Sequence, residues 1–274
     1  MGRPFIEFVQ AQALPWRRGL LPGRPEVAVR ELSADADTAA TSMLLRYPPG
    51  WRLAGPTALD VDEELFVLAG DLAIGGTRHA RLGYAYLPAG YRRAGMESAG
   101  GAVVLTFLSG SPLRSTREGC DSARLIERAS GLDGDWGAGF HPRFPPGAGR
   151  KILRQDPDTG EQTWLLGTMP LRCGSRPERH PVAEEMYLLS GELAGPVGVM
   201  RAGAYFWRPP QIWHGPFGSL TGNLMLFRTE GGPLSTVYTE HEVEFSWSPE
   251  HRPILPDHLR AYGAPLPADG CAAY

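Results

Sequence analysis

The chain has 274 residues, 42% of them apolar and 21% charged, with a net charge of −3 at pH 7. This is the composition of an ordinary globular protein, long enough for one large domain or two small ones. The acidic balance argues against a nucleic-acid partner, which selects for a basic face, and no run approaches the roughly 18 apolar residues of a membrane span.

The N-terminal stretch Met1-Gly2-Arg3-Pro4-Phe5-Ile6-Glu7 lacks the long apolar core of a signal peptide. Cys120, Cys173 and Cys271 are widely spaced and form no C-x-x-C pair, so a disulfide framework is not expected and a reducing cytoplasm fits. Proline and glycine fall between short apolar runs, which predicts many turns and an all-β chain. Strands are expected at 41–47, stopped by Pro48-Pro49-Gly50, and at 64–69, stopped by Gly70-Asp71. Two more follow at 84–87, stopped by Pro88-Ala89-Gly90, and at 102–108, stopped by Ser109-Gly110. The polar stretch 113–124 reads as a linker. Residues 121–129 are the best helix candidate, although their partner near the N terminus reads more like a strand. The tail 234–274, with Pro249, Pro253, Pro256, Pro265 and Pro267, suggests an extended segment lying on a domain surface.

An internal repeat orders these elements. At an offset of 121, Glu63-Glu64 falls on Glu184-Glu185, Gly70-Asp71-Leu72 on Gly191-Glu192-Leu193, Tyr84 on Tyr205 and Pro88 on Pro209. Upstream, Phe5-Ile6-Glu7 matches Leu125-Ile126-Glu127 at an offset of 120. The chain reads as a tandem duplication with domains 1–118 and 119–274, and the two halves serve as controls for one another.

One constellation is present in the second half only. Glu178-x-His180-x3-Glu184 enters an apolar run closed by Ser190-Gly191, and Gly203 is followed by Pro209-x-Gln211-x2-His214. The matching residues in the first half are Thr57, Leu59, Glu63 and Arg93. Leu59 has no donor atom, and Arg93 is always cationic and cannot be a ligand, so no metal is expected there. Arg93 can instead form a charge-assisted pair with a buried Glu63; the alternative places both independently at the domain rim.

In the second half, His180 and His214 offer neutral nitrogens and Glu184 an oxygen. Two His and one carboxylate suit non-haem Fe(II), and the same set accepts Zn, Mn, Ni or Cu. Glu178 shares a strand face with His180 and is either a fourth ligand or a group steadying an imidazole or a water from behind. Trp213, with Arg92 as its counterpart, is a candidate for the substrate pocket, as are Gln211, Met186, Tyr205 and Trp207. Tyr84 and Tyr86 occupy the positions of Tyr205 and Trp207 in the half without imidazoles, which favours a core or wall role for that pair. Cys173 precedes the motif and is a thiol that could face the pocket. His79, His141, His241, His251 and His258 match no motif.

These residues resemble the two motifs of the cupin superfamily, G-(x)5-H-x-H-(x)3,4-E-(x)6-G and G-(x)5-P-x-G-x2-H-(x)3-N. His180, Glu184, Gly191, Gly203, Pro209 and His214 match. Glu178 stands in place of the first His, Arg172 of the leading Gly, Gln211 of the inner Gly and Gly218 of the closing Asn. The chain looks like a bicupin over all but its tail. Its second half is similar to the metal-binding cupin domain of the ChrR type of anti-sigma factor, without a helical sigma-binding domain ahead of it. The resemblance implies two tandem cupin domains, each a double-stranded β-helix or jelly roll, and one divalent transition metal per chain, Fe(II) foremost. It implies a metal-dependent oxygenase of the dioxygenase type acting on a small organic substrate, with Glu178 available as acid or base. A redox-neutral isomerase, lyase or hydrolase using the metal as a Lewis acid and a non-enzymatic small-molecule or redox sensor are the alternatives. The expected partner is a small molecule, with neither nucleic acid nor membrane, and a homodimer is left open.

Overall fold

A computed structural model describes residues 2–19, 21, 23–116, 119–138, 141, 143–144, 146–267 and 274. The described chain is nearly all β, with short 3-10 turns at Ala11–Ala13 and Asp257–Tyr262. No helix among these residues is long and apolar enough to cross a membrane. Cys271 lies outside the described residues, and Cys120 and Cys173 are free thiols.

The chain forms two compact units, one of residues 1–3 and 14–133 and the other of residues 4–13 and 134–274. In the first unit a long strand, Glu63–Ile74, is flanked by Gly83–Leu87 on one side and Ala102–Leu108 on the other. Thr41–Tyr47 and Ala28–Ala34 extend this sheet beyond Ala102–Leu108. The far half of the long strand leaves the sheet and pairs with Thr77–Ala80 and Met96–Ser98 instead. A strand shared in this way between two sheets is how a jelly roll closes on itself. The crossing point needs Gly70 at φ 68°, where a Cβ would stand 1.9 Å from the Gly101 carbonyl oxygen.

The second unit repeats these pairings. Its long strand Ala183–Gly195 lies between Ala204–Arg208 and Asn223–Glu230, with Gln162–Thr168 and Ala148–Gln155 beyond. Gly191, at φ 77° and with a Cβ position 2.0 Å from the Gly222 oxygen, marks the same crossing. Even an isolated bridge recurs: Thr57 pairs with Arg93, and 121 residues on Glu178 pairs with His214.

The bounds 1–118 and 119–274 differ from the compact units in two segments. Ile6–Gln10 pairs with Ala204–Arg208 of the second unit, and Ile126–Ser130 pairs with Gly83–Leu87 of the first. Each unit thus takes its outermost strand from the stretch of sequence preceding the other half. This also overturns the helix expected at 121–129. After a turn at Asp121, residues from Ile126 run as an edge strand, because the open edge of Gly83–Leu87 offers hydrogen bonds that outweigh a weak local helix preference.

The interior of the first unit is filled. Met43, Leu45, Leu65, Leu72, Ile74 and Val104 pack with Tyr47 and Trp51, and Leu59 lies against them. Within this apolar interior Glu63 is held by two arginines. Arg93 Nη2 and Arg24 Nη2 both donate to Oε2 at 2.6 Å. Arg24 Nη1 also donates to the Tyr47 hydroxyl at 2.7 Å. Arg93 and Glu63 therefore meet inside the unit and not at its rim, and Arg24 is a second partner that the repeat did not reveal. Burial alone would raise the Glu63 pKa; the two guanidinium charges overcome it and hold the carboxyl below its ordinary 4.5.

Removing the shared anion should cost most. Glu63→Leu leaves two buried cations facing each other and is expected to destabilise the chain by about 3–5 kcal/mol. Arg93→Ala leaves Arg24 on the carboxylate and should cost less, about 1–3 kcal/mol. Chemical denaturation of both variants checks the order, and a loss under about 1 kcal/mol for Glu63→Leu would show the trio to be dispensable. A carboxyl with a depressed folded pKa stabilises the fold above its unfolded value and loses that contribution as pH falls through the folded one. The trio's contribution is accordingly present above about pH 4.5 and fades below it, and Glu63→Gln should flatten this acid limb of the stability curve.

Candidate metal centre

In the second unit the matching interior is open. A pocket open to solvent at one end is walled by Trp164, Leu166, Phe206, Phe217, Met225 and Phe227. Thr168 and Gly174 line it where the first unit has the larger Tyr47 and Leu53. Glu178, His180, Glu184 and His214 all face into this space.

Three pieces of backbone bring them there. Glu184 opens the long strand, where alternation turns it and Met186 inward and Glu185 outward to the Tyr205 hydroxyl at 2.8 Å. Glu178–Arg179 forms a short strand against Val237–Tyr238. The Glu178 and His214 backbones exchange N–H···O bonds of 2.9 Å, which fixes the height of His214 beside Glu178. The Gln211 N–H donates to the His180 carbonyl at 2.7 Å. Gln211 sits at φ 68°, the left-handed conformation that glycine adopts most readily, which explains why the second motif carries Gly at this position.

Both imidazoles are oriented through their Nδ1 atoms. His180 Nδ1 is 2.9 Å from the Ser235 carbonyl oxygen, and His214 Nδ1 is 2.9 Å from that of Ile212. A carbonyl only accepts, so each Nδ1 carries the proton and each Nε2 presents a lone pair to the pocket. His180 Nε2 lies 3.7 Å from Glu184 Oε1, and His214 Nε2 lies 3.9 Å from both Glu184 Oε2 and Glu178 Oε1. Donor atoms of Glu178, His180 and His214 all fall within 4.8 Å of one another. Two bonds of about 2.0–2.2 Å to one ion span roughly 4 Å, so the 3.9 Å between His214 Nε2 and Glu178 Oε1 suits a shared cation, while Glu184 offers a different oxygen to each imidazole.

The electrostatics support the same conclusion. Burial, then the charges of Arg208 and His180, push the His214 pKa well below its ordinary value, keeping the imidazole neutral as a ligand must be. Burial and the neighbouring Glu184 charge raise Glu178, with His180 acting in the opposite sense. The nearest cation to Glu184 on the protein is Arg208, with Nη1 3.7 Å from Oε2. Among the described residues no side chain donates a hydrogen bond to Glu184, and its carboxylate faces the pocket with Arg208 as its ion-pair partner.

The five residues expected to form the substrate pocket do not line it. Trp213 points outward, 46% exposed, beneath the Arg179 guanidinium 4.7 Å from its ring, because the alternation that sends His214 inward sends its neighbour out. Gln211 is exposed on its turn. Tyr205 and Trp207 occupy the outward face of Ala204–Arg208, while Phe206 and Arg208 on the opposite face line the pocket. Met186 points inward but belongs to the packed core. Cys173 is exposed and does not line the pocket.

Several lining residues escaped sequence reasoning. Phe206 and Arg208 follow from placing Glu184 inward and counting in twos along the paired strand. Tyr238 and Thr236 come from the tail, which has no repeat partner to expose its role, Arg172 figures in the motif only as a departure from its leading Gly, and Arg176 carries no motif. Burial and the Glu178 charge raise the Tyr238 pKa, so its phenol stays protonated.

Residues 138–233 match the family model of the ChrR cupin-like domain. No curated protein matches the chain. Among solved structures, the chain is similar to a candidate dioxygenase from Nostoc punctiforme PCC 73102, with TM-score 0.76 and 20% identity over 84% of this chain and 87% of that one. It is also similar to an oxalate decarboxylase mutant from Bacillus subtilis, with TM-score 0.53 and 13% identity over 84% and 78% of the two chains. A salicylate 1,2-dioxygenase mutant from Pseudoaminobacter salicylatoxidans gives TM-score 0.52 and 11% identity over 74% and 76%. At these identities the likeness establishes the fold, a cupin jelly roll.

The two interiors predict about one tightly bound divalent metal per chain. Elemental analysis of the purified protein should return that stoichiometry, and the His180→Ala/His214→Ala variant should lose the metal while its far-ultraviolet circular dichroism is unchanged. Two tightly held ions per chain, or full metal content in the double variant, would contradict the assignment.

Proposed function

We propose that this chain, a bicupin-fold protein whose second unit carries a ChrR cupin-like domain, is a metal-dependent oxygenase acting on a small organic substrate in the second unit's pocket. The observation that carries this reading is the convergence of two Nδ1-anchored imidazoles with the carboxylates of Glu178 and Glu184 in one pocket. His180, His214 and Glu184 are the proposed ligands, with Glu178 beside them as a fourth ligand or as the proton-handling group. Two His and one carboxylate with open positions is the donor set of non-haem Fe(II), which when bound supplies redox chemistry toward dioxygen.

The remaining work falls to the protein. The aromatic walls exclude water and favour a largely apolar substrate, which would present an oxygen-bearing head to the polar end of the pocket. Trp164 and Phe227 stack at 5.3 Å and 6°, and Phe206 meets Phe227 edge-on, so this wall is rigid. Glu178, raised by burial, is disposed to take up a proton at its carboxylate, and Tyr238 beside it keeps a phenol proton available. Thr236 Oγ1, 3.3 Å from His180 Nδ1, braces that ring together with the Ser235 carbonyl.

Oxygen uptake by anaerobically Fe(II)-loaded protein, measured over a panel of small oxygen-bearing apolar compounds, is the direct test. Uptake that requires both Fe(II) and one of the compounds, and that disappears in His180→Ala, is expected. Conversion of a compound with Zn or Mn and no oxygen uptake would replace the oxygenase by a redox-neutral enzyme. Tight ligand binding without turnover under either condition would make the pocket a sensor.

A further inference from the structure

Arg208 is buried against the candidate metal centre and is divided between two carboxylates. Its Nη2 donates to Glu7 Oε1 at 3.0 Å, while its Nη1 stops 3.7 Å short of Glu184 Oε2. The guanidinium lies over the Phe206 ring at 3.6 Å, with Phe217 5.1 Å away, so it is shielded from water. Glu7 belongs to Ile6–Gln10, the edge strand that runs antiparallel to Ala204–Arg208. Its own N–H donates to the Ile254 carbonyl at 2.9 Å, which fixes the strand from its other side.

The first unit shows arginines closed on the matching carboxylate. Arg24 and Arg93 close on Glu63 at 2.6 Å and occupy the space a cation would need. The first unit has Leu87 at the repeat position of Arg208, and Glu127 at that of Glu7 accepts from Tyr91 at 3.1 Å instead of holding an arginine. A guanidinium tethered to a glutamate beside the interior carboxylate is thus a feature of the second unit. A movement of about 1 Å would bring Arg208 Nη1 into a charge-assisted hydrogen bond with Glu184.

We infer that Glu7 is a positioning residue that draws Arg208 away from Glu184 and so keeps that carboxylate open for a cation. Arg208 then tempers the negative charge of the site without occupying it. The first strand of the chain, distant in sequence from every ligand, thereby sets the affinity of the centre. This inference rests on the metal-centre reading above and adds to it a residue outside both motifs.

The test is a Co(II) titration of the full chain, followed by visible absorbance, in the wild type, Glu7→Gln, Arg208→Leu and Glu7→Gln/Arg208→Leu. Glu7→Gln releases Arg208 onto Glu184 and should weaken Co(II) binding by roughly 10–100-fold. Adding Arg208→Leu removes the competing cation and should restore binding to near the wild-type level, even though the Glu7–Arg208 pair is still missing. Arg208→Leu alone should bind Co(II) at least as tightly as the wild type, and this arm decides the matter should Glu7→Gln fail to fold. Unchanged affinity in Glu7→Gln, a double variant as weak as the single, or weaker binding in Arg208→Leu would each overturn the inference. A wild-type chain that produces no Co(II) absorption would instead overturn the metal-centre reading itself.

Discussion

A carboxylate inside a β-barrel must be given a positive partner, and this requirement shapes both units. Glu63 and Glu184 occupy matching places on the two long strands, each turned into the interior by the same alternation. Desolvating a carboxylate costs several kcal/mol even after the protein relaxes. The first unit meets that cost with two guanidiniums and closes around them with Tyr47, Trp51 and Leu59. The second unit keeps its arginine at 3.7 Å, replaces leucine and arginine by two histidines, and leaves a pocket. The same fold therefore carries a plugged interior and an open one, and the difference rests on a few side chains.

The open site is held together from outside its own motifs. The His180 ring is set by the Ser235 carbonyl, and the tail strand Val237–Tyr238 pairs with Glu178–Arg179 and brings Tyr238 to the pocket. At the opposite end of the chain, Glu7 reaches Arg208 from an edge strand. The chain termini thus contribute to the second unit's chemistry although the ligand motifs lie between 178 and 214. A sheet leaves backbone groups unpaired at its edge, and a strand that pairs with them can deliver side chains to the interior as well.

Much of this was legible in the sequence. The turn-bounded runs at 41–47 and 102–108 coincide with strands, and the offset of 121 predicts pairings down to the single bridges of Arg93 and His214. Glu63 with Arg93 followed from asking what replaces a ligand. The misses have physical reasons. The strand expected at 64–69 runs on to Ile74, because Gly70 marks a crossing between sheets and not a stop. Trp213 was chosen for its nearness in sequence to His214, yet nearest neighbours on an extended chain face opposite ways. Arg24 and Glu7 meet their partners only through the fold, and no local pattern announces a contact between residues so far apart. The match of Phe5-Ile6-Glu7 with Leu125-Ile126-Glu127 does not say which sheet each segment joins, because that depends on open edges that the sequence does not display.

The central claim is that one interior of the chain is built for a cation and the other is closed by its own arginines. Anomalous diffraction from crystals of the Co(II)-treated protein tests it most directly. One strong peak per chain is expected, bounded by His180 Nε2, His214 Nε2 and the Glu184 carboxylate, with no peak beside Glu63. A peak in the first interior, or Arg208 paired with Glu184 and no peak in the second, would contradict it.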